Sequence, residues 1–239
     1  MKKRSLISMM IKPLLVSGLV LILAHVKAYA AYNMHFFLPD FPPYTTIDEL
    51  GEPTGIGIDK VLPILSSIGV EYTMTVSSNH GRALSELRKQ RSDGFFMASQ
   101  NEERDEYAVF SAPVMSNRWV WIVRSEDVEQ FAPHDPVFKS QAKVTSLLNT
   151  NTAFWLKNQG YKIASPATHI YGLIEKLDLK VVDAVLVAES VFMHNYTNLS
   201  GYGVILEEEK EFGLYISKHF LAKHPEFMER LNEAIQRLR

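Results

Sequence analysis

One arginine follows a short apolar stretch in the segment 93–113, which we call the arginine segment. The run 94–98 is apolar or small, and it gives way to polar side chains at Ser99 and Asn101. Arg104 then stands among four acids, two on each side. A guanidinium can hold a carboxylate through two parallel hydrogen bonds, so this pattern predicts a site for a small anion. A solvated helix start, with the arginine paired to its acidic neighbours, fits the same spacing.

Strands and helices alternate along the chain, which predicts an α/β fold with mainly parallel sheets. Predicted strands are 33–38, 70–76, 94–98, 119–123, 144–147, 181–187, 204–206 and 212–217, and predicted helices are 59–68, 82–89, 153–158, 171–177 and 225–238. Open α/β sheets bind ligands where their strands end. We therefore expect Met97 and Ser99, at the end of one strand, to meet a ligand through backbone groups.

The first thirty residues have the features of an export signal. A basic start at Lys2–Arg4 precedes an apolar run, Pro13–Ala24, and the small-residue cleavage site Ala28–Ala30. The sequence predicts cleavage near Ala30 and an exported product, in a bacterial periplasm. An uncleaved membrane anchor is the alternative, but the apolar run is well short of the ~20 residues that span a bilayer.

Composition excludes several classes of protein. Removing residues 1–30 takes Lys+Arg from 25 to 20 and leaves Asp+Glu at 27, so the net charge changes from −2 to −7. An acidic chain without a basic stripe argues against nucleic-acid binding. The chain has no cysteine, which excludes disulfides, a thiol nucleophile and lipid attachment at an N-terminal cysteine. The eight histidines have no metal-binding spacing, so we expect no metal and no cofactor. We also expect a monomer.

The arginine segment resembles the ligand-binding signature of the family 3 extracellular solute-binding proteins. Its matching parts are Asp93-Gly94, Ser99, Arg104 and the loop Phe110–Pro113, with Asn101 where the family usually has threonine. These are type II periplasmic binding proteins that carry amino acids and similar solutes to ABC transporters. The resemblance implies that Arg104 binds the ligand carboxylate and that Ser99 and Asn101 add hydrogen bonds.

Other residues lie where this family lines its ligand cleft. Phe41 matches an aromatic residue that covers the ligand, although a structural plug is the alternative. His80 replaces a tryptophan and implies a wall that is polar and partly titratable near neutral pH, unless it is an exposed loop residue. Thr150, Asn151 and Thr152 match a loop before a helix, whose free N–H groups and hydroxyls suit an anion. Simple capping of that helix is compatible with this role.

The resemblance breaks down at the amine site. In amino-acid binders of the family, an aspartate near the end of the strand matching 182–188 holds the ligand's α-amino group, and Ala188 stands there. Glu189 is one residue further on and could substitute, but one step along a strand points to the opposite face. The sequence therefore predicts a ligand with a carboxylate and leaves open whether it carries an α-amino group.

The resemblance extends over about residues 36–235 and implies two α/β lobes with the ligand in a hinged cleft. After a signal peptide at 1–30, lobe 1 would be 31–121 with 207–239, and lobe 2 would be 124–205. The leading hypothesis is a non-catalytic periplasmic protein that captures a small carboxylate for ABC-type uptake through a membrane permease. A soluble sensory protein that reports to a membrane receptor is the alternative. A dehydratase-like enzyme is less well supported, because Ser111 lacks a triad context.

Overall fold

Strands and helices alternate through residues 32–239, the part of the chain that the computed structural model describes. The predicted signal peptide lies outside these residues. The strands are β1 Tyr32–Leu38, β2 Thr46–Ile47, β3 Pro53–Thr54, β4 Val70–Val76, β5 Gly94–Ala98, β6 Ala108–Phe110, β7 Met115–Arg124, β8 Lys143–Thr145, β9 Lys162–Ile163, β10 Ala184–Ala188 and β11 Tyr202–Ser217. The helices are α1 Ile56–Ser67, α2 His80–Arg88, α3 Glu102–Asp105, α4 Pro136–Gln141, α5 Asn151–Asn158, α6 Ile170–Asp178, α7 Glu189–Asn195, α8 Lys218–Lys223 and α9 Phe227–Leu238.

Two groups of strands share a pair of long strands, β7 and β11. In the first group, which we call lobe 1, β1 lies between β4 and β5 and is parallel to both. In the second group, lobe 2, β8 lies between β9 and β10, again parallel to both. The apolar runs of β5 and β10 are buried throughout, as expected for strands covered on both faces.

β7 and β11 connect the two groups as an antiparallel ladder. The ladder runs from the pair Met115 and Phe212 to the pair Arg124 and Tyr202, and β10 adds to the other edge of β7. The last residues of β11 leave β7 and pair instead with β5 and β6 of lobe 1. A register shift falls between Gly213 and Leu214, where β11 pairs with β5. Such irregularities bend a strand, which allows β11 to pass from one lobe to the other.

Helix α1 begins earlier than the sequence predicts. The prediction starts it at Asp59, whereas the helix begins at Ile56, with Asp59 in its first turn. Pro63 therefore lies inside the helix instead of near its first turn, on the exposed side. The helix is retained despite the missing N–H because its opposite face buries Val61, Ile64 and Leu65.

A glycine at the start of α1 lets the end of β5 approach closely. A Cβ atom on Gly57 would lie 2.2 Å from Cγ of Met97 and 2.8 Å from the carbonyl oxygen of Tyr44, so no larger residue fits. Met97 itself has a φ of 58°, an uncommon left-handed conformation for a residue other than glycine. This packing fixes the turn at which β5 ends and the polar residues of the arginine segment begin.

The last helix, α9, closes the core of lobe 1 against the first strand. Its buried face contains Phe227, Leu231 and Ile235, three of the four residues that the helical spacing predicts. The ring of Phe227 lies 4.9 Å from that of Tyr32, edge to face. Leu238, the fourth, is 52% exposed. Among residues 32–239, no helix combines the length and apolar character that a membrane crossing requires.

We expect Phe227→Ala to lower the free energy of unfolding by about 3–5 kcal/mol, because it empties a fully buried aromatic position. Leu238→Ala, in the same helix but exposed, should change it by less than ~0.5 kcal/mol. Urea unfolding followed by circular dichroism measures both. Equal effects of the two substitutions would show that α9 is not docked as described.

Candidate functional site

Arg104 is buried, although four acids surround it in the sequence. It lies in α3, a single helical turn, and only 4% of the residue is exposed. The side chain of Asn101 caps this turn by accepting the backbone N–H of Arg104 at 2.9 Å. One guanidinium nitrogen, Nη1, donates to the carbonyl oxygen of Ser99 at 2.7 Å. Within residues 32–239 no ion pair joins Arg104 to a carboxylate, so the alternative of an arginine paired with its acidic neighbours is wrong.

The buried guanidinium keeps its charge at neutral pH. Burial lowers the pKa of Arg104 to about 10, against the opposing influence of Tyr215, Glu103 and Asp105. The rings of Phe95 and Tyr215 lie 5.9 and 6.0 Å from its central carbon. A charge held away from water without a counter-ion is costly, and a ligand anion would offset much of that cost.

Arg104 lines a cavity between the two lobes. The lining residues come from the loop after β1, the ends of β5 and β10, the β7–β11 pair and the start of α5: Phe41, His80, Ala98, Ser99, Arg104, Asn117, Trp119, Leu147, Thr150, Asn151, Thr152, Val187, Ala188 and Phe212. Of these described residues, Arg104 is the only Arg or Lys, and none is an acid. The volume open to the centre of a water-sized sphere is about 20 Å³, close to the room that one water needs.

Asn151 joins the two lobes at the edge of this cavity. It is the first residue of α5, in lobe 2, and its partners lie in lobe 1. Its Nδ2 donates to Ser99 Oγ at 2.8 Å and to the carbonyl oxygen of Gln100 at 3.1 Å. Its Oδ1 accepts from Nδ2 of Asn101 at 2.7 Å. Two predicted ligand-binding side chains are thus bonded to a third, and together they hold the cleft closed.

A second contact between the lobes lies beside α2. Nδ2 of Asn149 donates to Oδ1 of Asn79 at 3.3 Å. A Cβ atom on Gly81 would lie 2.8 Å from that same Nδ2, so the glycine permits the close approach. This contact lies on the wall of a larger cavity of about 290 Å³, which Arg104, His80 and Thr150 also line. The two cavities therefore lie on either side of Arg104, His80 and Thr150.

The hydroxyl groups at the start of α5 are bonded to one another. Thr150 caps the helix by accepting the N–H of Ala153 at 3.4 Å, so the capping that the sequence predicts at Asn151 or Thr152 is wrong in its residue. Its hydroxyl also lies 2.8 Å from that of Thr152, which in turn lies 2.6 Å from Ser146 Oγ. Both threonines line the inner cavity, so each oxygen can exchange a partner for a ligand atom.

His80 is a buried, neutral residue and not a titrating cleft wall. It is 5% exposed, its Nε2 lies 3.1 Å from the carbonyl oxygen of Met97, and Phe41 packs on its ring edge to face at 4.9 Å. Burial, with the Arg104 charge beside it, lowers the pKa of His80 to about 3. The expectation of a histidine that is partly protonated near neutral pH, or exposed on a loop, is therefore wrong. It lines the cavity as a neutral ring.

The remaining predicted residues divide between the cavity and its surroundings. Phe41 lines the cavity and also stacks on Tyr44 at 5.4 Å, so its ligand-covering and packing roles coexist. Met97 is buried behind the lining, and its carbonyl oxygen faces His80. Glu189 lies outside the lining because both of its carboxylate oxygens accept from Nη1 of Arg118, at 3.0 and 2.8 Å.

Sequence reasoning missed Asn117, on β7. It is 2% exposed and lines the cavity, and its Oδ1 accepts from the hydroxyl of Tyr44 at 2.9 Å. A signal for it exists in the period-two pattern of the strand. Ser116 and Arg118 are exposed, whereas Asn117 lies on the same face as the buried Trp119. An amide on the apolar face of a strand is unusual enough to mark a site.

Two comparisons with known sequences bear on this site. The family model described as bacterial extracellular solute-binding proteins, family 3, matches residues 36–239. A comparison with curated protein sequences gives no match.

Three solved structures of similar fold serve as examples. An ABC uptake transporter substrate-binding protein from Streptococcus pneumoniae with bound histidine has a TM-score of 0.70 and 16% identity, over 86% of each chain. The GluR0 ligand-binding core from Nostoc punctiforme in complex with L-glutamate has a TM-score of 0.69 and 17% identity, over 86% of this chain and 92% of that one. The ancestral amino acid-binding protein AncCDT-1, a precursor of cyclohexadienyl dehydratase, has a TM-score of 0.68 and 19% identity, over 86% of this chain and 88% of that one. The predicted two-lobed α/β fold of a type II periplasmic binding protein, with a cleft between the lobes, is confirmed.

We expect Asn151→Ala to shift the protein towards a form with separated lobes. Each hydrogen bond contributes about 0.5–1.5 kcal/mol, so losing three should change the ratio of open to closed molecules by about tenfold or more. Small-angle X-ray scattering should show a larger radius of gyration than in the wild type. Asn158→Ala, at the exposed end of the same helix, is the control, and an Asn151→Ala variant as compact as this control would contradict the role of Asn151 in closure.

Neutral His80 should make the protein less stable in acid. Its folded pKa of about 3 lies below the unfolded value of 6.5. Its contribution to stability is therefore complete above pH 6.5 and falls by about 1.4 kcal/mol per pH unit as the pH drops towards 3. Urea unfolding of wild type and His80→Gln between pH 7.5 and 4.5 tests this, with His219→Gln as the exposed control. Parallel curves for wild type and His80→Gln would contradict a buried neutral His80.

Proposed function

Because the chain belongs to the bacterial extracellular solute-binding proteins, family 3, we propose that it captures a small carboxylate-bearing solute in the periplasm. It would bind the solute between its lobes, close around it, and deliver it to a membrane permease for ABC-type uptake. This proposal includes export of the chain with cleavage near Ala30. It also includes the lobe boundaries, with lobe 1 at 31–121 and 207–239 and lobe 2 at 124–205.

The observation that carries the proposal is the unpaired charge of Arg104. Its guanidinium lies in a cavity that holds no acid among its described lining residues, and its one side-chain hydrogen bond within residues 32–239 goes to the Ser99 carbonyl oxygen. A carboxylate in the cavity would supply the missing counter-charge and could accept two parallel hydrogen bonds. Such an ion pair contributes more binding free energy than an exposed one, because little water competes for its hydrogen bonds.

The size of the cavity implies that binding and lobe motion are coupled. A space of about 20 Å³ cannot admit a solute of several atoms while Asn151 holds the lobes together. Entry therefore requires the lobes to separate, with β7 and β11 as the strands that bend. Ser99 and Asn101 then lose Asn151 as a partner and become free to bind the ligand. On closure, ligand atoms replace part of this network.

Uptake and sensing share this capture step. A soluble receptor subunit would use the same cleft and differ only in the membrane protein that it contacts. The family's name describes solute binding, which both roles share. We place uptake first because the histidine-bound structure of similar fold is a substrate-binding protein of an ABC uptake transporter. Binding of the closed form to a permease, and not to a sensor domain, would decide between the two.

We expect Arg104→Ala to weaken binding of the cognate carboxylate by at least tenfold, about 1.4 kcal/mol, because the anion loses its counter-ion. A thermal-shift screen with amino acids, other small carboxylates and amines finds the ligand through its stabilisation of the folded state. Isothermal titration calorimetry then compares the variants. Arg237→Ala, on the exposed end of α9, changes the net charge equally and should bind as the wild type does. Unchanged affinity in Arg104→Ala, or a response only to amines, would remove the basis of the proposal.

A further inference from the structure

We infer that the ligand is a small carboxylate whose second polar group is an oxygen, as in a 2-hydroxy or 2-oxo acid, and that the side-chain amide of Asn117 donates a hydrogen bond to it. This inference rests on the proposed function and narrows it, because it excludes an α-ammonium group as the feature that the cleft selects.

The Nδ2 atom of Asn117 is a buried donor without a partner. Within residues 32–239 it donates to no protein atom, although the residue is only 2% exposed and lines the cavity. Leaving a buried amide N–H unpaired is unfavourable, and native structures rarely do so without a reason. A ligand oxygen in the cavity would satisfy this donor.

The orientation of the amide is set from behind the cavity. The hydroxyl of Tyr44 donates to Oδ1 of Asn117 at 2.9 Å. Since an amide oxygen can only accept, the phenol proton of Tyr44 is directed to Asn117. The NH₂ group of Asn117 is therefore left as the end of the amide that is available to a ligand.

The cavity offers little to an ammonium group. At the end of β10, Ala188 lines the cavity without a polar atom in its side chain. The neighbouring Glu189 is paired with Arg118. An ammonium ion beside the buried Arg104 would add a second positive charge with no acid among the described lining residues. A neutral hydroxyl or carbonyl avoids this repulsion.

Matched acids that differ only at the second carbon test the inference. We would use alanine, lactate, pyruvate and propionate. The same four substituents on the four-carbon diacid are aspartate, malate, oxaloacetate and succinate, and on the five-carbon diacid they are glutamate, 2-hydroxyglutarate, 2-oxoglutarate and glutarate. Calorimetry at pH 7.5 gives the affinity of the wild type for each. In the skeleton that binds best, the hydroxy or oxo acid should bind at least tenfold more tightly than the amino acid and the unsubstituted acid.

Two variants assign the preference to Asn117. Asn117→Leu should lower affinity for the preferred acid by tenfold or more and change that for the unsubstituted acid by less than threefold. Tyr44→Phe leaves the Asn117 amide in place but removes the hydrogen bond that orients its Oδ1, so this variant should also weaken the preference for the hydroxy or oxo acid. It replaces Asn117→Leu as the test if that variant does not fold. Circular dichroism checks folding, and Asn195→Leu, outside the cavity lining, is the matched control.

Failure of the inference differs from failure of the proposed function. If the amino acid binds most tightly and Arg104→Ala still abolishes binding, the inference is wrong and the proposed function stands. The same holds if Asn117→Leu weakens the substituted and unsubstituted acids equally. If another small carboxylate of the thermal-shift screen binds but none of the twelve acids does, the inference is wrong and the proposed function stands. If no carboxylate in that screen binds the wild type, or if binding ignores Arg104→Ala, the proposed function fails and the inference fails with it.

Discussion

The structure depends on one unbalanced charge, the guanidinium of Arg104, which is buried between two lobes and forms no ion pair with a carboxylate of residues 32–239. Its surroundings are arranged to hold it there. Asn101 caps the single turn of α3, Tyr215 accepts the N–H of Asn101 at 2.9 Å, and the carbonyl oxygen of Ser99 accepts from the guanidinium. A buried ion that lacks a partner lowers the stability of the fold. Destabilising buried charges of this kind occur mainly at functional sites, where a bound ligand can offset the loss of stability.

Closure of the cleft and binding use the same polar groups. Asn151 bonds to Ser99, Gln100 and Asn101, and these bonds satisfy in the closed form the groups that a ligand would otherwise meet. A ligand atom that replaces one of these bonds therefore gains little net affinity from it. The charge of Arg104 and the amide of Asn117 have no such partner among the described residues, so most of the affinity should come from them. Differential binding of this kind is what shifts a two-state protein towards one state.

The sequence predicts the fold well where the determinants are local. The apolar strand, the polar break and Arg104 follow one another directly, and the structure keeps that order. Predictions were wrong where distant residues decide. The charged run 207–211 separates two predicted strands, yet β11 continues through it because β7 holds its backbone. His80 is neutral because Phe41 and the carbonyl of Met97 enclose it, and the site of Asn117 needs Tyr44, from far away in the chain. None of these contacts has a local signature.

A crystal structure with a bound carboxylate tests the central claim most directly, and the distance to measure joins the carboxylate oxygens to the guanidinium nitrogens of Arg104. We predict that both oxygens lie within hydrogen-bonding distance, about 2.7–2.9 Å, in a closed cleft. A carboxylate bound elsewhere, with Arg104 still bonded only to Ser99, would contradict the account.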